Sequence, residues 1–472
     1  MSKFEKLSDI GEVIDSLHKT PKYSDVGRAM VRCTDVKYGR LDLTNTFKVS
    51  EEVFAEFSRR YTPKKDDIII TRVGSYGITA LVEDDDFCLG QNTSVIVPKA
   101  IDPRYLYLAL NSFIVKNQIE FSVVGSTQKT LSLKAINNLD IPRFDLEVEK
   151  KIAKIVGQLD DKIELNRQTN QTLEYIAQAL FKCWFVDFEP TRAKIIAKEK
   201  GENSAVQELA AQAIICGAMT LEQLEAITQN LEITLQQAIN KKLNQANQTP
   251  INTEQLKTTA ALFPNALVDS ELGEIPEGWG CKALSEWGAI ICGKTPSKKK
   301  DEYYGGDIPF IKIPDMHGNM YVIESVDTLT EEGAETQRKK ILPEGSICVS
   351  CIATVGQVVI TCEESFTNQQ INSIIPIERF YTPYLYFSML EQNKNIHDLA
   401  SGGSATLNLN TGNFSKIEIV RPHSELLKKF SVLVESMLKD IITNQLQQKE
   451  LTSIRDTLLP KLLSGELNVS SD

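Results

Sequence analysis

Two sets of polar and basic side chains lie at the ends of predicted β-strands, one set in each half of the chain. Asn and Gln can hydrogen-bond adenine, Arg and Lys can hydrogen-bond guanine, and hydroxyl groups can contact phosphates. The first set is Lys19, Thr20, Lys22, Arg72, Ser75, Tyr76, Gln91, Asn92, Ser126, Gln128 and Lys129. The second set is Lys294, Thr295, Ser297, Lys298, Tyr303, Tyr304, Asn368, Gln369, Asn372, Ser404 and Asn408. Each residue alone is as well explained as an ordinary loop residue, but the repetition favours contacts to double-stranded DNA.

Residue patterns typical of catalysis are scarce. The four histidines are His18, His317, His397 and His423, and none has the sequence spacing of a known nucleophile or metal site. Cys348 and Cys351 have CxxC spacing, but they lie in an apolar stretch without a second pair, which favours a structural role. Neither a glycine-rich phosphate loop nor the Asp/Asn-Pro-Pro-Tyr/Phe motif of amino-methyltransferases is found. The sequence therefore predicts no metal, no cofactor and no catalytic site in this chain.

Bulk properties indicate a cytoplasmic protein of two or three domains. The chain has 472 residues, a net charge of −11 and nine cysteines, which we interpret as reduced thiols. Its first residues show no signal peptide, and it contains no apolar run long enough to span a membrane. The net charge argues mildly against nucleic-acid binding. However, residues 1–150 carry 21 Lys and Arg against 22 Asp and Glu, so the first part is nearly neutral.

Basic residues are nevertheless clustered locally. For each cluster, a solvated surface is favoured over a phosphate contact by about two to one. The clusters are Arg28, Arg32, Lys37 and Arg40; Arg59, Arg60, Lys64 and Lys65; Lys298, Lys299 and Lys300; and Arg338, Lys339 and Lys340.

The polar residues are expected to be positioned by β-rich domains. Residues 68–73 and 93–97 are rich in β-branched residues and predict strands, and residues 103–115 predict one helix. From Asp145 the apolar period becomes helical. Apolar residues then recur at alternating steps of four and three, which is typical of a coiled-coil seam.

Two amide residues interrupt the seam of each long helix. They are Asn166 and Asn170 in the first helix and Asn444 and Gln448 in the second. In one interpretation this part of the seam faces water. In the other, the amides pair between two antiparallel helices and fix their register at some cost in stability. The sequence favours both about equally.

The second half of the chain repeats the first at an offset of 278 residues. Ile163, Asn166, Leu173, Ile176 and Leu180 recur as Ile441, Asn444, Leu451, Ile454 and Leu458. In the β-rich parts, the stretch from Ile68 to Gly74 matches the stretch from Ile347 to Gly356. The predicted fold class is therefore α+β, with two repeated β-rich domains and two long antiparallel helices that form an intramolecular coiled coil. The predicted segments are a first β-rich domain at 1–144, a helix at 145–187, a helical insertion and linker at 188–279, a second β-rich domain at 280–423, a helix at 424–465 and a tail at 466–472.

The insertion carries no recognisable chemistry. Thr220 and Gln223 predict a capping box that opens a helix running towards Asn240. Residues 269–276 are predicted to form a linker.

Several motifs make the chain resemble the DNA-specificity subunits of type I restriction–modification systems, over essentially its whole length. They are LDDKIELN at 159–166, ALF at 179–181, FVDFEP at 185–190, SELGEIPEGW at 270–279, GKTPS at 293–297, GDIP at 306–309 and LLPKLLSG at 458–465. The first copy departs from the pattern by having His18 where the second has Gly293.

The resemblance implies that two target-recognition domains each read one half of a split DNA sequence. It implies that the paired helices set the length of the unread spacer. The implied partners are two methyltransferase subunits and restriction or translocase subunits, which bind S-adenosylmethionine, ATP and Mg²⁺ and carry out adenine methylation and restriction. An alternative from another class is a scaffold that does not bind DNA and organises a protein assembly. A self-contained nuclease or methyltransferase is least favoured.

Overall fold

The computed structural model describes residues 3–37, 39–41, 43, 46–125, 129–245, 253–401 and 407–469. The chain forms two compact units. Unit 1 comprises Met1–Arg167 with Gln447–Asp472, and unit 2 comprises Gln168–Leu446. Two long helices, Leu146–Phe185 and Ser424–Ser464, contribute residues to both units. No helix among the described residues is long and apolar enough to cross a membrane.

The first recognition domain, residues 3–143, is built on a mixed five-stranded sheet whose central strand is an apolar run. Ile68, Ile69 and Ile70 are fully buried there, which explains why this segment lacks polar alternation. The strand order is Gly11–Asp15, Thr93–Pro98, Ile68–Thr71, Thr79–Leu81 and Gly39–Arg40. Further strands are Phe47–Val49, Arg28–Val31 and Phe87–Leu89 in one sheet, and Lys3–Lys6 with Asp140–Arg143 in another. The α-helices are Leu7–Ile10, Glu51–Phe57, Pro103–Asn111, Phe113–Ser122 and Leu133–Asn137.

The second recognition domain, residues 280–421, has the same strand order in its five-stranded sheet. That order is Gly288–Cys292, Ile371–Pro376, Ile347–Ser350, Val358–Thr361 and Tyr321–Val322. Further strands are Asp327–Leu329, Tyr304–Ile311 and Phe366–Thr367 in one sheet, and Gly280–Ala283 with Glu418–Arg421 in another. The α-helices are Glu331–Glu335, Thr382–Glu391, Asn393–Ala400 and Thr411–Ser415. The duplication inferred from the sequence is thus a duplication of topology.

The turn after the central strand corrects one detail of the repeat. The sequence match paired Gly74 with Gly356, whereas the hydrogen bonds pair Gly77 with Gly356. The amide of Gly77 donates to Thr71 O and that of Gly356 donates to Ser350 O. Both glycines have positive φ, and a Cβ on either would lie within 3.0 Å of a neighbouring side chain. A three-residue shift in the match therefore follows from the turn geometry.

Within each unit the two long helices run antiparallel, and amide side chains pair between them. In unit 1, Asn166 Nδ2 donates to Gln447 Oε1 at 2.8 Å. In unit 2, Asn444 Nδ2 donates to Asn170 Oδ1 at 2.8 Å. Asn166 is only 2% exposed, so the seam does not face water there. The partner of Asn166 is Gln447, one residue before the predicted Gln448. Gln448 itself is half-buried.

Three local expectations were wrong. The predicted helix 103–115 is broken at Ser112, whose hydroxyl accepts from Val115 N and starts a new helix. The capping box of Thr220 is present, but its helix is only Leu221–Ala226, and another begins at Leu231 after a residue of positive φ. The predicted linker at 269–276 is a β-hairpin, Leu267–Ser270 with Gly273–Pro276.

The insertion between the domains is helical. Its helices are Glu189–Glu199, Ser204–Ile215, Leu221–Ala226, Leu231–Gln245 and Thr253–Ala260.

Candidate nucleic-acid interface

The Lys294–Thr295 loop of the second domain lies against the turn at residues 367–370. Lys294 N donates to Thr367 O at 2.9 Å, and Thr295 Oγ1 donates to Gln369 Oε1 at 2.6 Å. The close approach requires glycine at position 293, because a Cβ there would lie 2.1 Å from Asn368 O. Gln369 is exposed, and its amide nitrogen can donate to an external acceptor.

Two other predicted contact residues of this domain are buried. Asn368 hydrogen-bonds the side chain and the backbone of Gln370. Asn372 Nδ2 donates to Leu409 O at 3.3 Å, and its Oδ1 accepts from Thr411 at 2.9 Å. Because these amides are bonded inside the domain, their geometry suits positioning of the loops rather than direct contact with a ligand.

In the first domain Arg72 is similarly engaged. Its side chain is 12% exposed and donates to Asp15 Oδ1 at 2.6 Å and to Leu131 O at 3.1 Å. Ser94 and His18 also contact the Asp15 carboxylate, at 2.9 and 2.7 Å. Burial opposes ionisation of Asp15, but hydrogen bonds from Arg72 and Ser94 outweigh it and hold its pKa below the ordinary value. This network fixes the end of one strand beside the loop that follows it.

A second polar cluster in the first domain lies at its surface. Tyr76 OH donates to Glu120 Oε2 at 2.9 Å and accepts from Lys129 Nζ at 3.3 Å. Lys129 is exposed, and its ammonium has further N–H donors that can bond an anion. The neighbouring predicted residues Ser126 and Gln128, and Ser404 of the second domain, lie outside the described residues.

The remaining predicted residues are mostly at the surface. Lys19 pairs with Glu56 at 2.7 Å. Tyr304 OH donates to Pro296 O, and Tyr303 OH accepts from Lys300 at 2.9 Å. The exposed members are Thr20, Lys22, Ser75, Ser297, Lys298 and Asn408, and the half-buried ones are Gln91 and Asn92. The half-exposed turn at Asn92 has positive φ, and its carbonyl accepts from Arg72 N.

The structure also reveals a cluster that the sequence did not single out. Tyr23 and Phe47 are each almost half exposed, and their rings pack edge to face at 4.6 Å. The guanidinium of Arg32 lies 3.7 Å from the Phe47 centroid and pairs with Asp35. In the sequence, Arg32 belongs to a basic cluster that is favoured as a solvated surface. The signal that could have found it is a basic residue three positions before an Asp, which recurs as Lys312 and Asp315 in the second copy.

The paired cysteines have no exposed chemistry. Cys348 and Cys351 are at most 1% exposed, and burial raises the pKa of Cys351 to about 11. Among the described residues no group of three or more side chains could hold a metal ion.

The duplicated topology defines a class of protein. A family model described as the type I restriction modification DNA specificity domain matches residues 1–175 and 276–451, and the chain belongs to this family. The two matches contain both recognition domains and most of both long helices.

Particular relatives agree with this assignment. The chain is 42% identical over 422 residues to the type I restriction enzyme HindI specificity subunit of Haemophilus influenzae, covering 86% of this chain and 87% of that protein. It is 32% identical over 190 residues to the MjaIX specificity subunit of Methanocaldococcus jannaschii, covering 39% and 43% of the two chains. The crystal structure of a type I restriction–modification S subunit from M. genitalium has the same fold, with a TM-score of 0.51, 14% identity, and 98% and 96% coverage.

Proposed function

We propose that this chain recognises a double-stranded DNA sequence in two parts, one for each recognition domain, as the specificity subunit of a type I restriction–modification complex. The observation that carries the proposal is the repeated sheet topology, because both copies lie within the segments that match the DNA specificity family. Each copy presents amide, hydroxyl and ammonium groups on loops beside the same strands. These groups are suited to base edges and phosphates.

The acidic net charge supports a proposal in which the chain binds DNA together with partner subunits. The chain carries a net charge of −11, whereas phosphate neutralisation requires Lys and Arg. We therefore propose that two methyltransferase subunits supply much of the positive surface, and that restriction subunits join them. In this proposal the partners bind S-adenosylmethionine, ATP and Mg²⁺ and carry out adenine methylation and cleavage. This chain determines the DNA sequence at which the complex acts.

A domain exchange tests the proposal directly. Replacing residues 1–144 with the matching segment of another specificity subunit joins the chains between the strand that ends at Arg143 and the helix that begins at Leu146, so no element is cut. Methylated adenines are then mapped by single-molecule sequencing in cells that express the full complex. We expect one half of the methylated sequence to change and the other to persist. The matched control exchanges residues 280–423 and is expected to change the opposite half.

The scaffold alternative makes different predictions for the same material. A scaffold would leave the methylated sequence unchanged by either exchange. The purified complex would also show no salt-dependent binding to a duplex that contains the methylated sequence, whereas DNA recognition requires binding to weaken steeply with salt. Simultaneous change of both halves after one exchange would contradict the assignment of one half to each domain.

A further inference from the structure

Arg32 of the first recognition domain is held rigidly by a carboxylate. Asp35 Oδ2 accepts from the backbone N and from Nε of Arg32, both at 2.9 Å, and Oδ1 accepts from Nη2 at 2.9 Å. The carboxylate therefore occupies one edge of the guanidinium. The other edge, formed by Nη1 and the second N–H of Nη2, is left for a further partner, and within the described part of the chain Nη1 has none.

An aromatic ring fixes the plane of the same group. The guanidinium carbon lies 3.7 Å from the centroid of Phe47, whose ring packs against Tyr23. The ion pair with Asp35 and the stacking together restrict the torsions of a long side chain, so little entropy remains to be lost on binding. The Arg32 side chain is 28% exposed, so a ligand can reach it.

The group lies beside the loops that the proposed function assigns to DNA. Gly90 N donates to Val31 O at 2.8 Å, and Cys33 Sγ contacts Asn92 O at 2.8 Å, so both chain neighbours of Arg32 are tied to the turn that carries Gln91 and Asn92. Tyr23 directly follows Lys22, which is one of the predicted contact residues of the first domain. Arg32 is thus continuous with the candidate interface.

We propose that Arg32 reads a guanine in the part of the target that the first recognition domain contacts, by donating from Nη1 and Nη2 to O6 and N7. An arginine with a free two-donor edge matches the two major-groove acceptors of guanine and of no other base. Asp35 and Phe47 are positioning residues in this arrangement. The inference rests on the proposed function.

The second domain provides an internal comparison. Lys312 occupies the position of Arg32, and Asp315 again accepts from its backbone N, at 2.8 Å. The Lys312 ammonium, however, pairs with Asp327, which stands where Phe47 stands in the first domain. A lysine lacks the two-donor edge, so the inference assigns this mode of guanine reading to the first domain alone.

The test uses the complete complex and chemically altered DNA. The wild-type complex is titrated with duplexes that carry the methylated sequence, in which each guanine of the first half in turn is replaced by 7-deazaguanine, which lacks the N7 acceptor. We expect one position to weaken binding by about 5- to 150-fold. The Arg32→Met complex, which has no donor there, is expected to show no further loss at that position, and its methylome is expected to accept other bases there.

The Lys312→Gln complex is the matched control and should keep the 7-deazaguanine effect in the first half. The inference is overturned if no guanine of that half is sensitive, or if the Arg32→Met complex keeps the same sensitivity. If Arg32→Met fails to fold, the scan on the wild-type protein still overturns the inference when no guanine of the first half is sensitive. If the wild-type complex has no two-part methylated sequence at all, the proposed function fails rather than this inference alone.

Discussion

The contacts that accompany the long helices differ between the two units. In unit 1, Arg104 on the helix Pro103–Asn111 pairs with Asp161 at 2.7 Å, and Arg455 pairs across the two long helices with Asp160 at 2.9 Å. In unit 2, the ring of Phe181 lies 5.5–6.1 Å from four other aromatic rings. These belong to Phe185, Tyr384, Phe387 and Phe430. Both domains also pack on the helices through buried apolar residues, which in unit 1 include Ile152, Val156 and Leu463. The comparison shows that ion pairs accompany this packing in one copy and an aromatic cluster in the other.

This difference predicts different responses to solvent. The ion pairs of unit 1 are partly exposed, so added salt screens them. The aromatic cluster of unit 2 is buried and depends on contact area and ring geometry. Unit 1 should therefore lose stability with added salt more readily than unit 2.

The same contrast is found beside the binding loops. Asp15 and Arg72 of the first domain correspond in strand register to Cys292 and Cys351 of the second. Ser94, which donates to Asp15, corresponds to Asn372, which instead bonds Leu409. A charged network in one copy is thus replaced by thiols and an amide in the other.

The largest expected effect is in the aromatic cluster. Phe181→Ala should reduce the free energy of unfolding of unit 2 by about 3–5 kcal/mol, because a fully buried ring leaves a cavity. Hydrogen exchange of peptides from the strand Ile347–Ser350 measures the loss within that unit. Tyr175→Ala on the same helix is the control, since Tyr175 is 73% exposed and should change stability by less than about 0.5 kcal/mol. Equal effects of the two changes would refute the apolar attachment.

A smaller effect is expected at the ionic attachment. Arg455→Met should cost unit 1 about 2–3 kcal/mol, because it removes a charged donor from Asp160. Burial already raises the pKa of Asp160 despite Arg455, and the substitution should raise it further. A carboxyl with a raised pKa in the folded state favours folding when protonated, so the variant should become less stable as pH rises through the carboxyl range.

Exchange protection of the strand Ile68–Thr71, measured at several pH and salt values, tests this prediction. Arg338→Met is the control, since Arg338 is 79% exposed and its ion pair is at the surface. If Arg455→Met left the salt dependence of unit 1 unchanged, the ionic attachment would not be what stabilises it.

The repeated pattern was enough to predict the architecture, because it is fixed by periodicity. The short β-branched run at 68–73 favours a strand, and the heptads from Asp145 favour a long helix. Local breaks were not predictable in this way. The break at Ser112 depends on one hydroxyl that caps a new helix, and the end of the helix at Ala226 is followed by a positive φ at Asn230, which side-chain pattern does not encode.

The candidate site was less predictable than the fold for a physical reason. Residue type reports what a side chain can bond, but burial decides whether that bond is already made. Arg72 and Asn372 have base-reading chemistry, yet the folded domain uses both internally. Arg32 has the same chemistry as Arg72, and only its neighbours Asp35 and Phe47 distinguish them.

The paired amides of the seam should have a moderate effect on stability. Asn170→Leu should cost unit 2 about 1–2 kcal/mol, because Asn444 loses its acceptor in a partly buried site. Adding Asn444→Leu should recover most of the loss, since two apolar side chains can pack there. A double-mutant cycle on exchange protection of unit 2 measures the coupling. Additive losses would show that the amides do not act as a pair.

The smallest effect is expected in the charged network around Asp15, which corresponds to the thiols and the amide of the second domain. The pKa of Asp15 is held below its ordinary value, so the stabilisation it provides is present above the ordinary carboxyl pKa and is lost as pH falls through the folded-state value. Asp15→Asn keeps an acceptor for Ser94 and Arg72, so the loss at neutral pH should be only about 0.5–1 kcal/mol. The variant should also lose the acid-dependent part of the stability of unit 1. Exchange protection of the strand Thr93–Pro98, corrected for the intrinsic pH dependence of exchange, measures both quantities. The corresponding strand Ile371–Pro376, which pairs with Cys292, should not respond to the substitution, and a response there would mean that the two networks are not independent.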